Sequence, residues 1–303
     1  MTIFGASHAD SVGVVLEGVP IGLRLVDEDF TMDLNRRKPQ GVGETPRSEE
    51  DRPTIVGVDA LGSVVDGRVE ISFQNRNRRS ADYSSLKNHP RPSHADLTQR
   101  LKYGEEYNLA GGGIASGRMT VALVAAGVVA KKMLEGVSFY TNLINLGGCT
   151  DPKEFDNILD KVVQMKDSVG GIVSICVNGL KVGLGEPYFD SLESTISHLL
   201  FSVGGVKGVE FGAGFSGVNM LGSEFNDMIV DGNGKTSSNH NGGINGGISN
   251  GNSLIVKAFV KPTPSIFKEQ NTYSFKDECV KPLVIEGRHD AAIVLRAQVV
   301  LEA

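Results

Sequence analysis

Residues 118–134, Arg118 to Leu134, are apolar almost all round a helical wheel, which predicts a helix buried on most sides. Residues 12–25 read as a strand, a turn at Pro20 and a second strand. Asp66-Gly67 between Ser63-Val64-Val65 and Val69-Glu70-Ile71 predicts a hairpin. Asp151-Pro152 supplies a cap and a first-turn proline for a helix whose apolar stripe is Phe155, Ile158, Leu159 and Val162. Asp190 with Glu193 resembles a capping box opening a further helix that closes near Gly204-Gly205. Residues 231–253 are dense in Gly and Asn, yet they run into the strong strand pattern Leu254 to Val260, so they belong inside a fold. There is also an internal echo, since Leu16 to Leu23 resembles Val177 to Leu184 and each segment precedes an aspartate-led helical pattern, at Asp27 and Asp190. No linker separates these halves, and residues 1–303 are expected to form one unit.

Of 303 residues, 40% are hydrophobic, ample for a sizeable core, and no apolar run approaches the roughly 18 residues of a membrane span. The start Met1 to Gly5 lacks the charged and apolar regions of a secretory signal. Cys149, Cys176 and Cys279 are far apart and form no CxxC pair, which argues against disulfides and a metal site, and a cytoplasmic protein is expected. A net charge of -6 disfavours nucleic acid. The basic residues nevertheless cluster at Arg36-Arg37-Lys38, Arg76, Arg78-Arg79 and Arg91. Concentrated arginines in an acidic protein suggest a pocket for a small, multiply charged anion.

Two short motifs lead nowhere. Gly234-Lys235-Thr236 resembles the end of a phosphate-binding loop, but Ile229 stands where the first glycine is needed. Gly247-Ile248-Ser249-Asn250-Gly251 matches the nucleophile elbow, yet a glycine loop precedes it and a strand follows. More promising are three segments joining His to Asp, two of them with Arg: Gly5-Ala6-Ser7-His8-Ala9-Asp10, Arg91-Pro92-Ser93-His94-Ala95-Asp96 and Gly287-Arg288-His289-Asp290. Histidine changes charge near neutral pH and arginine binds phosphate in a bidentate fork, so these segments suit proton transfer beside an anion.

These segments, taken with Leu34 to Pro39, Thr45 to Asp51, Gly111 to Arg118, Gly183 to Pro187, Gly222 to Asp227, Gly242 to Gly251 and Lys261 to Ile266, resemble the chorismate synthase family in order and over nearly the whole chain. The resemblance implies an α+β fold, a β-α-β sandwich with long central helices between two antiparallel sheets and internal pseudo-symmetry, assembled as a homotetramer. It implies a lyase that removes phosphate from 5-enolpyruvylshikimate 3-phosphate by trans-1,4-elimination. Reduced FMN is required without net redox change, and some members reduce it themselves with NAD(P)H. Carried over by motif, the substrate-binding arginines are Arg37, Arg47, Arg91, Arg118 and Arg288. The catalytic residues are His94 at the leaving phosphate, His8 near the flavin and Asp290 as proton acceptor, with Ser7 and Ser116 as relays. The flavin contacts are Ile114, Ala115, Ser116, Gly204, Gly205, Gly246, Lys261, Pro262, Thr263, Pro264, Ser265 and Arg288.

The chain departs from the family pattern at several of these positions. Ala6 and Ala9 replace a glutamate and a glycine, Ile114 and Ala115 replace an arginine and a serine, and Gly204-Gly205 replaces Asn-Ala. It also ends at Ala303 without the family's usual C-terminal helix. These changes keep a weakened or inactive flavin-binding relative as an alternative. From other classes, a serine hydrolase using Ser249 and a polyanion-binding module using the basic clusters are the rivals.

Overall fold

The computed structural model describes residues 1–303 apart from 46–48, 78–84, 105, 106, 109 and 288. In the first half lie β1 (Thr2–Gly5), β2 (Ser11–Glu17), α1 (Asp27–Arg37), β3 (Thr54–Val56), β4 (Arg68–Gln74), α2 (Asp96–Tyr103) and α3 (Thr120–Met133). There follow β5 (Ser138–Leu146), α4 (Phe155–Gln164), β6 (Gly171–Asn178), α5 (Leu192–Ser202), β7 (Val206–Phe211) and α6 (Gly222–Phe225). Two short strands, β8 (Ile244–Asn245) and β9 (Ile248–Ser249), precede β10 (Leu254–Val260), β11 (Gln270–Ser274), β12 (Cys279–Leu283) and α7 (Val294–Glu302).

Two four-stranded sheets carry the architecture, in the orders β1-β2-β4-β3 and β5-β6-β10-β7, with every pairing antiparallel. Period-two burial explains why these segments are strands: Val69, Ile71 and Phe73 of β4 and Val173, Ile175 and Val177 of β6 all face inward. The near-uniformly apolar α3 packs on β2 and β4, while α7 packs on β5, β6 and β10. These two helices and α1 pack on one another between the sheets, and one contiguous apolar cluster runs through both halves. Gly127 lets the end of α7 approach α3, because a Cβ there would overlap Ala303. Among the described residues no helix is long and apolar enough to cross a membrane.

The internal echo coincides with the repeated topology. Leu16 to Leu23 leaves β2 and Val177 to Leu184 leaves β6, the second strand of each sheet. Its paired glycines share a backbone state: Gly18 (φ 77°) with Gly179 (φ 87°), and Gly22 (φ 85°) with Gly183 (φ 99°).

Several local expectations change. Asp66-Gly67 turns the chain, but Ser63 and Val64 bridge to Arg24 and Val58, whereas β4 pairs with β2 and β3, so no hairpin forms there. The expected strand up to residue 25 shrinks to the Arg24 bridge. Ser191, one residue past Asp190, caps α5 by accepting a hydrogen bond from the Ser194 N–H. The apolar stretch after Asp290 forms the helix α7.

Candidate active site

Arg37 is the last residue of α1, and Arg118 lies in the short 3-10 turn that leads into α3. They meet at Asp51: Arg37 Nη1 donates to its Oδ2 at 3.1 Å and Arg118 Nη1 to its Oδ1. All three side chains are at most 4% exposed, and buried charges require such pairing. The remaining donors are aimed as well, from Arg37 Nε to Thr120 Oγ1 (3.0 Å) and from Arg118 Nε to Asn75 Oδ1 (2.8 Å). Asp51 holds its position at φ 53°, in the left-handed region that non-glycine residues rarely occupy.

A second carboxylate organises the facing wall. Asp96, the first residue of α2, accepts from Arg91 Nε and Nη2 at 2.7 Å each, a bidentate fork, while Arg91 Nη1 donates to Ser265 Oγ at 2.9 Å. His94 Nδ1 stands 2.7 Å from the same Asp96 Oδ1. Burial alone raises the Asp96 pKa, but the hydrogen bonds from Arg91 and the close His94 ring override it and hold the carboxyl well below the usual range. Burial pushes the His94 pKa down, with the neighbouring Arg91 charge adding to it against the pull of Asp96.

Between these walls run Gly111, Gly112 and Gly113, all at positive φ. The approach is close enough to require glycine: a Cβ on Gly111 would overlap the His8 ring and Ser7 Oγ. His8 and the fully buried Ser7 therefore sit behind the glycine run rather than lining the cavity. Ser116 Oγ accepts from Arg118 N–H at 3.2 Å and so caps the turn that aims the arginine. From the second half, Asp290 Oδ1 accepts from Thr45 N–H at 2.9 Å, and Lys261 N–H donates to Gly205 O at 2.9 Å.

Together these elements enclose a cavity of about 720 Å³, inside the range of roughly 300–1,000 Å³ usual for small-molecule sites. Arg37, Lys38, Arg91, Arg118, Lys261 and Arg296 line it against the carboxylates of Glu49, Asp51 and Asp290, a cationic surplus within an acidic chain. Ile114, Leu123, Val203 and Ile293 add apolar surface to the lining. Thr263 Oγ1 is buried there without a protein partner, an atom placed to meet a ligand's polar group. A planar heteroaromatic ring bearing a phosphate fits this set: apolar surface for the ring, Lys261, Thr263 and the Gly204-Gly205 backbone for its polar edge, and cations for its phosphate.

Most of the residues singled out by sequence converge here. Arg37, Arg91, His94, Ile114, Ala115, Ser116, Arg118, Gly204, Gly205, Lys261, Thr263, Pro264, Ser265 and Asp290 all line the cavity. Pro262 does not, and Gly246 belongs to the exposed turn between β8 and β9, away from the cavity, because that turn packs toward Ser191 and Glu186 instead. Arg47 and Arg288 lie outside the described residues. Sequence reasoning missed Asp51, Asp96, Lys38 and Arg296 as parts of the site. Asp96 carried a signal in its spacing from Arg91 and His94, and Lys38 in the basic cluster it forms with Arg36 and Arg37; Arg296 is one charge within an apolar helical stretch. His289 lines the cavity too, with Nε2 3.0 Å from Glu286 O and a pKa lowered by burial.

The rival readings lose their footing. Ser249 is 2% exposed and its hydroxyl is committed, donating to Lys181 O (2.6 Å) and accepting from Leu184 N–H (2.9 Å). Arg36 is paired with Asp33 and Glu302 and Arg37 with Asp51, which takes charge from the first basic cluster, while Arg78 and Arg79 lie outside the described residues. Among the described residues no group of three or more His, Cys, Asp or Glu side chains could hold a metal ion.

Comparison with known proteins agrees over the full length. The family model described as chorismate synthase matches residues 1–303. A chorismate synthase of Chitinophaga pinensis is 49% identical, covering 100% of this chain and 91% of that protein. One of Methanocaldococcus jannaschii is 39% identical with the same coverage of each. In fold, the chain is similar to a crystal structure of chorismate synthase, with a TM-score of 0.75 over 99% of this chain and 87% of that one, at 23% identity.

Proposed function

Because the chain belongs to the chorismate synthase family, a family of carbon–oxygen lyases, we propose that its cavity binds 5-enolpyruvylshikimate 3-phosphate beside reduced FMN and eliminates the phosphate to give chorismate. One observation carries this reading: Arg37, Arg91 and Arg118, far apart in sequence, line one cavity with His94 and Asp290. A ligand with two carboxylates and a phosphate needs such a set, since each anion leaving water requires a charged, hydrogen-bonding partner.

The geometry supports the following roles. The arginines hold the anions and fix the ring, and His94 serves the departing phosphate. Asp290 takes the ring proton at Oδ2, because its Oδ1 already accepts from Thr45 and Oδ2 has only a long 3.4 Å contact from Arg296. Ser116 keeps Arg118 aimed, while His8 and Ser7 support the glycine run from behind. Ile114, Ala115, Gly204, Gly205, Lys261, Thr263, Pro264 and Ser265 would hold reduced FMN, which would lend electron density to the elimination with no net oxidation. Phosphate and one ring proton leave and a new double bond forms, so the reaction balances. The same reading makes the protein a cytoplasmic homotetramer.

The test is anaerobic incubation of the full chain with photoreduced FMN and substrate, following phosphate release. Release that requires the reduced flavin supports the lyase. Tight flavin binding without release identifies the weakened relative instead.

A further inference from the structure

The loop from Arg91 to Asp96 ends on a carboxylate with two dependants. Asp96 Oδ2 accepts from both Nε (2.7 Å) and the backbone N–H (3.2 Å) of Arg91, and Oδ1 accepts from Arg91 Nη2 (2.7 Å). The same Oδ1 is 2.7 Å from His94 Nδ1, ion-pair distance with the ring N–H not aligned on it, and this buried Nδ1 has no other hydrogen-bond partner among the described residues. A strained turn brings the two dependants together: Ser93 stands at φ 57°, its carbonyl accepts from Lys261 Nζ at 2.6 Å, and His94 N–H reaches back to Arg91 O at 3.3 Å. The other edge of the His94 ring faces Gly112, where a Cβ would lie 3.4 Å from Cε1 and 3.5 Å from Nε2. The charged groups facing His94 are Asp96 and Arg91 on its own loop, Lys261 from the segment after β10 and His289 from the segment before α7.

A carboxylate beside one ring nitrogen of a neutral imidazole selects the tautomer with its proton on that nitrogen. We propose that Asp96 is a positioning residue that fixes His94 as the Nδ1–H tautomer, leaving the Nε2 lone pair to the cavity. As the phosphate dianion arrives, His94 takes a solvent proton at Nε2, passes it to the departing phosphate and returns to the Nδ1–H form. Asp96 stays ionised throughout and balances the transient imidazolium. The turnover part of this proposal rests on the lyase reading; the tautomer does not.

The experiment uses the full chain labelled with ¹⁵N-histidine and long-range proton–nitrogen correlation, with the His94 signals identified by their loss in His94→Gln. Neutral wild-type His94 is expected to show a protonated Nδ1 and a bare Nε2. In Asp96→Asn that preference is lost, and kcat for phosphate release falls about 10²- to 10⁴-fold, the usual worth of a positioned proton donor. In the His94→Gln background, Asp96→Asn costs far less in kcat than it does alone, what remains being the loosened hold on Arg91. Arg91→Lys keeps the His94 tautomer, which separates the two dependants. An Nε2–H tautomer in the wild type overturns the proposal, and that measurement stands alone if Asp96→Asn does not fold. An Asp96→Asn loss as large in the His94→Gln background as in the wild type overturns it too, because none of the effect would then pass through His94. A wild type that releases no phosphate refutes the lyase reading and leaves the tautomer to be judged by the spectrum.

Discussion

Around Asp51 two guanidiniums share one carboxylate; around Asp96 a guanidinium and an imidazole do. Both carboxylates are almost fully buried, at 1% and 2% exposure, so burial does not distinguish them. Their partners do. Neither Arg37 nor Arg118 can lose its proton, so the Asp51 wall carries a fixed surplus of positive charge. The charge of the Asp96 wall depends on whether His94 is protonated. Under the proposed lyase reading, one carboxylate cluster would hold an anion and the other would change charge as the phosphate departs.

The comparison can be broken most forcefully at Asp51. Asp51→Ala strands two buried guanidiniums and is expected to destabilise the fold by about 3–5 kcal/mol, read from denaturant unfolding. A loss below about 1 kcal/mol would mean that water reaches the arginines and the wall is not sealed. Adding a fixed charge sharpens the contrast. Ile114→Arg supplies a donor where the apolar lining has none, and FMN affinity should rise by about 1.5–3 kcal/mol in a flavin titration; unchanged affinity rules out a buried contact at that position.

The switchable wall should show in pH dependence. The His94 pKa in the folded chain lies below its ordinary 6.5, so between these values the unfolded chain binds more protons. Stability therefore falls as pH drops below 6.5, with a slope of at most about 1.4 kcal/mol per pH unit from one group. His94→Gln should flatten that slope in denaturant unfolding between pH 8 and pH 5, leaving a residue from His289, which is shifted in the same direction. Asp96, depressed from 3.8, contributes its stability above that value and loses it as pH falls further toward the folded pKa. The smallest effect belongs to Arg76, whose 3.0 Å pair with Glu50 is 74% and 60% exposed. Arg76→Ala should change stability by about 0–1 kcal/mol, and anything larger would give that surface pair a role it is not credited with.

Much of this was legible before any coordinates. The Arg118 to Leu134 pattern predicts a buried helix, and the strand β10 announces itself because one face is dry, whereas only the end of β6 was touched, by the internal echo at Val177. The 63–65 segment was misread because Asp-Gly dictates that the chain reverses, not what it then pairs with; Val64 N–H donates to Leu23 O and is thereby drawn away from β4. Asp190 and Ser191 are both good caps, and the Leu192 N–H bond to Gly247 O sets the register that favours Ser191. Arg91 and His94 were visible because a short loop keeps them together. Asp51 was not, since the run Glu49-Glu50-Asp51-Arg52 reads as solvated charge and only the fold buries one member of it.

The bridge formed by Asp51 also bears on how this chain can change over generations. Replacing Arg37, Asp51 or Arg118 singly passes through an intermediate with an unmatched buried charge, so each is conditionally essential on the other two. Drift at these positions should be arrested unless compensating changes arrive together, and the three should vary as a block among descendants. Ile114 belongs to no such bridge and lies partly exposed on the cavity wall. It is free to wander, and an altered flavin contact can be acquired there without disturbing those charges.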